Sequence, residues 1–121
     1  PGSAAVVAAG LSVNGVLKNL DVRRNEISGD AAQQLATAVL ANPSLELFGA
    51  VPLKELRENT LDQLDLFGES LGVPEALVLA KLVEGSAVLT NLNLSTNDIG
   101  DEGAAALGKA LEVNGVLKNI D

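Results

Sequence analysis

The sequence predicts an α/β solenoid, a row of short parallel strands each returned by a helix, and three observations carry that expectation. The heptapeptide VNGVLKN stands at Val13–Asn19 and again, unchanged, at Val113–Asn119. The stretch LTNLNLSTNDIG (Leu89–Gly100) lines up with LDQLDLFGESLG (Leu61–Gly72), keeping its leucine spacing and final glycine, and LKNLDVRRNEIS (Leu17–Ser28) has the same form. Behind these strands come alanine- and leucine-rich segments with helical spacing: GDAAQQLATAVLAN, VPEALVLAKLVEGS and GDEGAAALGKALEVN. The pattern restarts at Leu17, Leu45, Leu61, Leu89 and Leu117, at equal intervals except for a short one between Leu45 and Leu61. The two heptapeptides are therefore one helix-to-strand junction in two repeats.

Each element follows from the shared pattern L-x-x-L-x-L-x-x-N-x-I/L. The second and third Leu lie two apart and point to one face of a short strand. Parallel strands need a crossover, which the helical stretches provide, and stacked neighbours complete a core that no single unit can close. Leu20, Val22, Ile27, Leu35 and Val39 are expected in one layer. Leu64, Leu66, Leu71, Leu79 and Val83 form a second, and Leu92, Leu94, Ile99, Leu107 and Leu111 a third. Pro74 suits the first turn of its helix. Asp30, Asp101 and Glu102 put negative charge at helix N-termini, as the macrodipole favours. Asn14, Asn42 and Asn114 recur at helix C-terminal ends, where a left-handed turn is expected.

This pattern resembles the leucine-rich repeat family, specifically the long class of ribonuclease inhibitor, with related repeats in NOD-like receptors and the Ran GTPase-activating protein. The resemblance covers nearly the whole chain. It implies a right-handed α/β superhelix with a parallel β-sheet on the concave face and helices on the convex face. It also implies that Asn25 and Asn97, in the motif's Asn position, bond backbone groups in the turn after the strand. The corresponding residue of the third unit is Glu69, which accepts but cannot donate, so that turn is either locally altered or carries a functional carboxylate.

The expected organisation is one domain: a half repeat 1–14, repeat 15–42, a short irregular repeat 43–60, repeats 61–88 and 89–116, and a partial repeat 117–121. In the short unit, PSLELFGAVPLKELRENT, we expect a strand near Leu45–Ala50 and one helical turn near Leu53–Arg57. The preferred register puts Phe48 and Ala50 inside and Leu47, Gly49 and Val51 outside. The alternative buries Leu45 and Leu47, because a one-residue slip inverts the faces.

Composition narrows the functional classes. The chain has no His and no Cys, which removes the usual nucleophile–base pairs, disulfides and thiolate metal sites. An enzyme is not expected, and no catalytic residue, cofactor or metal is assigned. A net charge of −8 with eight scattered Lys and Arg disfavours nucleic acid. No run approaches the ~18 apolar residues of a membrane span. A cytoplasmic location is the expectation.

Candidate binding residues are those facing away from the helices. They are Asn19, Asp21 and Arg23; Gln63, Asp65 and Phe67; Asn91, Asn93 and Ser95; and Asn119 and Asp121. The resemblance implies a protein partner on this face. The row Asp21, Asp65, Asn93, Asp121 is either a solvated polar face or a site bridged by a hard cation such as calcium. Phe67 either anchors a partner or tucks under the loop of the short repeat. The sequence offers no terminal caps, so we read it as a piece of a longer array whose edge, with Leu117 and Ile120, is prone to self-association. The expected function is a non-catalytic protein-interaction module, with an architectural spacer or a small-GTPase regulator as alternatives.

Overall fold

A computed structural model describes residues 15–114, Gly10 and the backbone of residues 119–120. The expectations for Ala4–Val13, Asn14, Leu117 and Asp121, and for the side chains of Asn119 and Ile120, lie outside the described residues. Along the chain run β1 (Asn19–Leu20), α1 (Gly29–Ala41), β2 (Leu47–Phe48), α2 (Leu53–Arg57), β3 (Gln63–Asp65), α3 (Val73–Glu84), β4 (Asn91–Asn93), α4 (Gly100–Val113) and β5 (Asn119–Ile120). Strands and helices alternate as the sequence predicts, an α/β arrangement with parallel pairing throughout the named strands. No helix among the described residues is long and apolar enough to cross a membrane.

Pairing preserves the sequence period. Asn19 faces Leu47, Gln63 faces Asn91, and Asn91 faces Asn119, each partner one full repeat further along the chain. The expected single sheet is nevertheless two: β1–β2, and β3–β4–β5. The break falls at the short repeat. After Phe48 the chain folds back on itself, with Phe48 N–H donating to Val51 O (3.0 Å), Val51 N–H to Phe48 O (2.8 Å), and a φ of 59° at Gly49. That tight turn ends β2 before it can meet β3.

The same turn corrects the expected register. Phe48 is inside and Leu47 outside as preferred, but Gly49 and Val51 are buried, and so is Leu45. Alternation holds only while the chain is extended, so Val51, beyond the reversal, turns inward. Neither register describes the segment in full.

The apolar seam survives the break. Leu35, Val39, Phe48, Val51, Leu53, Leu66, Leu71, Leu79, Val83, Leu92, Leu94 and Leu107 belong to one buried cluster, with Leu20, Val22, Ile27, Leu64 and Ile99 packed against it. Leu111 is half-buried. Since α2 is a single turn, α1 comes to rest directly on α3, and α4 also packs on α3. As a result every residue from Pro74 to Ala80 is buried. Glu102 in the first turn of α4 reaches α1, accepting from Gly29 N–H and Gln33 Nε2, both at 3.0 Å.

Helix ends are closed by side chains rather than by the expected left-handed residues. Asn42 and Asn114 are extended, with φ of −91° and −84°. The Asn42 carboxamide oxygen instead accepts from Ser44 N–H, Ser44 Oγ and Leu45 N–H. The Asn114 amide donates to Val83 O and Ser86 O, tying the end of α4 to the end of α3. α1 has no basic residue in its last turn. Arg57, from α2, supplies one: Nη2 donates to Val39 O and Leu40 O, and Nη1 to Leu45 O. Burial lowers the pKa of this guanidinium, and the carbonyl ends of α1 are its counter-dipole.

The α3–α4 contact depends on one glycine. A methyl on Gly103 would stand 2.8 Å from Ala76 Cβ and 3.1 Å from Ile99 Cβ, whereas Gly108 of the same helix has open space around it. Gly108→Ala should therefore stabilise by about 1 kcal/mol through helix propensity. Gly103→Ala should instead destabilise by about 1–2 kcal/mol, because overpacking outweighs that gain. Urea unfolding of the two variants checks the opposite signs.

Candidate functional site

The candidate binding residues divide between the two sheets. Gln63, Asp65 and Phe67 lie beside Asn91, Asn93 and Ser95, with Gln63 paired to Asn91 and Asp65 to Asn93. Gly68 N–H donating to Ser95 O (3.0 Å) extends this contact past the strand ends. Asn19 and Asp21 belong with β1, whose neighbour is Leu47 of β2.

The Asp/Asn row has a local explanation. Asp21 Oδ1 accepts Arg23 N–H, Asp65 Oδ1 accepts Phe67 N–H, and Asn93 Oδ1 accepts Ser95 N–H, at 3.0, 3.0 and 2.9 Å. Each side chain satisfies the backbone donor two residues on, an Asx turn that closes the strand. Among the described residues no group of three His, Cys, Asp or Glu side chains is placed to hold a metal ion.

Arg23 is the residue that spans the break between the sheets. Its Nε and Nη2 donate to the two Asp21 oxygens at 3.0 and 2.9 Å. Its Nη1 donates to Glu69 O at 2.7 Å and lies 3.5 Å from Glu69 Oε1. The stem passes over Gly49, where a Cβ would come within 3.1 Å of Arg23 Cδ. Arg23 hydrogen bonds hold the Asp21 carboxyl down to about 2, and the same pairing raises the Arg23 pKa.

Glu69 sits in a turn maintained from the next repeat. Asn97 Oδ1 accepts from Glu69 N–H (3.1 Å) and Leu71 N–H (3.0 Å). Asn97 Nδ2 donates to Leu66 O and Leu94 O at 2.8 and 3.0 Å. The donors that a third-unit Asn would bring are thus partly replaced by its neighbour. Asn25 donates only within its own turn, to Val22 O and Arg23 O.

Phe67 does not tuck under the short repeat. It is 57% exposed, whereas Val51, its expected neighbour, is fully buried. The space beneath the short repeat is filled from within by Phe48 and Val51, both at 0% exposure. Its backbone N–H donates to Asp65 Oδ1, and the paired strands that lead up to it carry Gln63 and Asp65 opposite Asn91 and Asn93.

Two features escaped the sequence reading. One is the reach of Arg23 to Glu69, a contact across 46 residues of chain. The other is Glu75, a carboxylate left 1% exposed in the first turn of α3. Its Oε1 accepts Gly72 N–H at 2.8 Å, half of a capping box, and the G-x-x-E spacing was the available signal. Burial raises its pKa, with Gly72 N–H, then the Glu75 backbone N–H, acting the other way.

Comparison with known proteins gives one family match. Residues 85–108, from the end of α3 through β4 into α4, match the family model described as Leucine Rich repeat. No curated protein matches the chain. The matched segment contains the paired strand β4 and the motif residue Asn97, so this part of the chain is similar to a leucine-rich repeat.

Proposed function

We propose that this chain is a stretch of right-handed leucine-rich repeat solenoid of the ribonuclease-inhibitor-like class, and that it binds a protein partner through a concave strand face centred on Phe67. Regular pairing of positions one full repeat apart supports the class. The single observation that carries the binding role is the exposure of Phe67 on a face of polar side chains, where a large aromatic ring is held in water rather than in the core. Such rings serve as anchors in interfaces, where a few side chains supply most of the affinity.

The test compares the partner captured by immobilised wild-type chain with that captured by Phe67→Ala and by Val88→Ala, an exposed apolar control. Binding should weaken roughly thirtyfold for Phe67→Ala. Stability should stay within about 0.5 kcal/mol, since the ring is on the surface. Equal binding by all three proteins would refute the role of Phe67. A second reading, an architectural spacer, is favoured by the commitment of Asp21, Arg23, Asp65 and Asn93 to bonds within the chain. It predicts that none of the three proteins captures a partner.

A further inference from the structure

The short repeat leaves a space as well as a broken sheet. A cleft of about 680 Å³ opens between the turn Val22–Ser28 on one side and the turns Ser70–Glu75 and Thr96–Asp98 on the other, and no residue of 43–60 lines it. Each of the three walls carries a left-handed residue, at Arg24 (φ 67°), Ser70 (φ 59°) and Thr96 (φ 60°).

One wall residue has a polar atom that the fold does not satisfy. Glu75 is 1% exposed and lines the cleft. Its Oε1 is occupied by Gly72 N–H, while Oε2 is buried without a hydrogen-bond partner. A buried acceptor with no donor is rare in a folded protein and calls for an explanation. The capping contact at the start of α3 does not provide one, because it is made by Oε1.

We propose that this cleft receives an arginine side chain of a protein partner, whose guanidinium donates to Glu75 Oε2. The proposal deepens the interaction reading above by naming a partner group and a second contact site, and it rests on that reading for the partner's being a protein. Charge decides for a cation over a neutral donor. Glu26, Glu75 and Asp98 line the cleft against Arg23 and Arg24, and Arg23 is already paired with Asp21 and Glu69. The chain as a whole carries −8.

Shape and hydration decide for arginine over lysine. Val22, Ile27, Leu71 and Pro74 give the cleft apolar walls that suit a methylene stem and the flat faces of a guanidinium. An ammonium is more strongly hydrated, and a planar fork can bond Glu75 together with a second acceptor on the rim. The terminal torsion of a Glu side chain is broad, so a small turn presents Oε2 to the cleft while Oε1 stays near Gly72 N–H.

The experiment titrates ¹⁵N-labelled chain with three capped tripeptides, Gly-Arg-Gly, Gly-Lys-Gly and Gly-citrulline-Gly, citrulline being the neutral isostere of arginine. The arginine peptide should give saturable shifts at Val22–Ser28, Ser70–Glu75 and Thr96–Asp98. Citrulline should bind at least tenfold more weakly and lysine several-fold more weakly. Glu75→Gln, which keeps an oxygen for Gly72 N–H, should lose the arginine preference. Absence of saturable shifts there, equal binding of arginine and citrulline, or unchanged binding by Glu75→Gln would each overturn the proposal. These outcomes are independent of the Phe67→Ala comparison, so the cleft can fail while the strand face stands, and the reverse.

Discussion

Phe48→Ala is expected to lower stability by about 3–5 kcal/mol, whereas Leu47→Ala, one residue away, should cost under about 0.5 kcal/mol. Phe48 is fully buried where the short repeat has only a single-turn helix to offer the core, and Leu47 is 37% exposed. Leu45, Val51 and Leu53 are buried in the same cluster as Phe48, so removing the ring opens a cavity in the core. Urea denaturation with an unchanged m-value reads the loss directly. If Leu47→Ala cost as much as Phe48→Ala, the strand would sit in the other register.

Asn97→Ala is the second large effect, expected at about 2–3 kcal/mol. Its carboxamide joins two repeats, accepting from Glu69 and Leu71 N–H and donating to Leu66 O and Leu94 O. Removing it takes the amide donor from Leu66 O and Leu94 O, and the third unit's own motif residue, Glu69, cannot replace it because a carboxylate only accepts. Asn25→Ala should cost about 1 kcal/mol, because Asn25 bonds only Val22 O and Arg23 O in its own exposed turn. Thermal unfolding of the two variants tests the difference. Equal losses would mean that the link between repeats adds nothing to the local turn.

Both predictions turn on features that the sequence reveals unequally. The period is legible because Leu and Asn recur at fixed spacing; inside the short repeat, where it breaks, the sequence points to a helical turn at Leu53–Arg57 but leaves two strand registers open, and the structure has Phe48 inside. Burial of Val51 is not legible, since the reversal at Gly49–Ala50 switches off the two-residue alternation that the reading depends on. The left-handed turn position is similarly hidden. Gly68 marks it in one repeat, but Arg24 and Thr96 hold it elsewhere without a glycine.

Long-range consequences of the missing helix were out of reach altogether. Nothing local in the sequence says that Glu102 will bond Gly29 across 73 residues, or that Arg23 will bond Glu69 across 46. Both arise because a one-turn α2 brings α1 against α3. The burial of Glu75 follows from the same packing, although its place in the first turn of α3 was readable from Pro74. For the strand face, residue type identified the Asp/Asn row but not its use. The backbone N–H groups that Asp21, Asp65 and Asn93 satisfy are visible only in the fold.

The short repeat keeps the aliphatic core continuous while splitting the sheet between β2 and β3, and backbone amide hydrogen exchange at β3 measures this most directly. Leu66 N–H, which donates to Asn93 O at 2.8 Å, should be protected. Gln63 and Asp65 N–H, on the edge of β3 that no described strand covers, should exchange rapidly. Protection of Gln63 and Asp65 equal to that of Leu66 would mean that the strands form one unbroken sheet, contradicting the split.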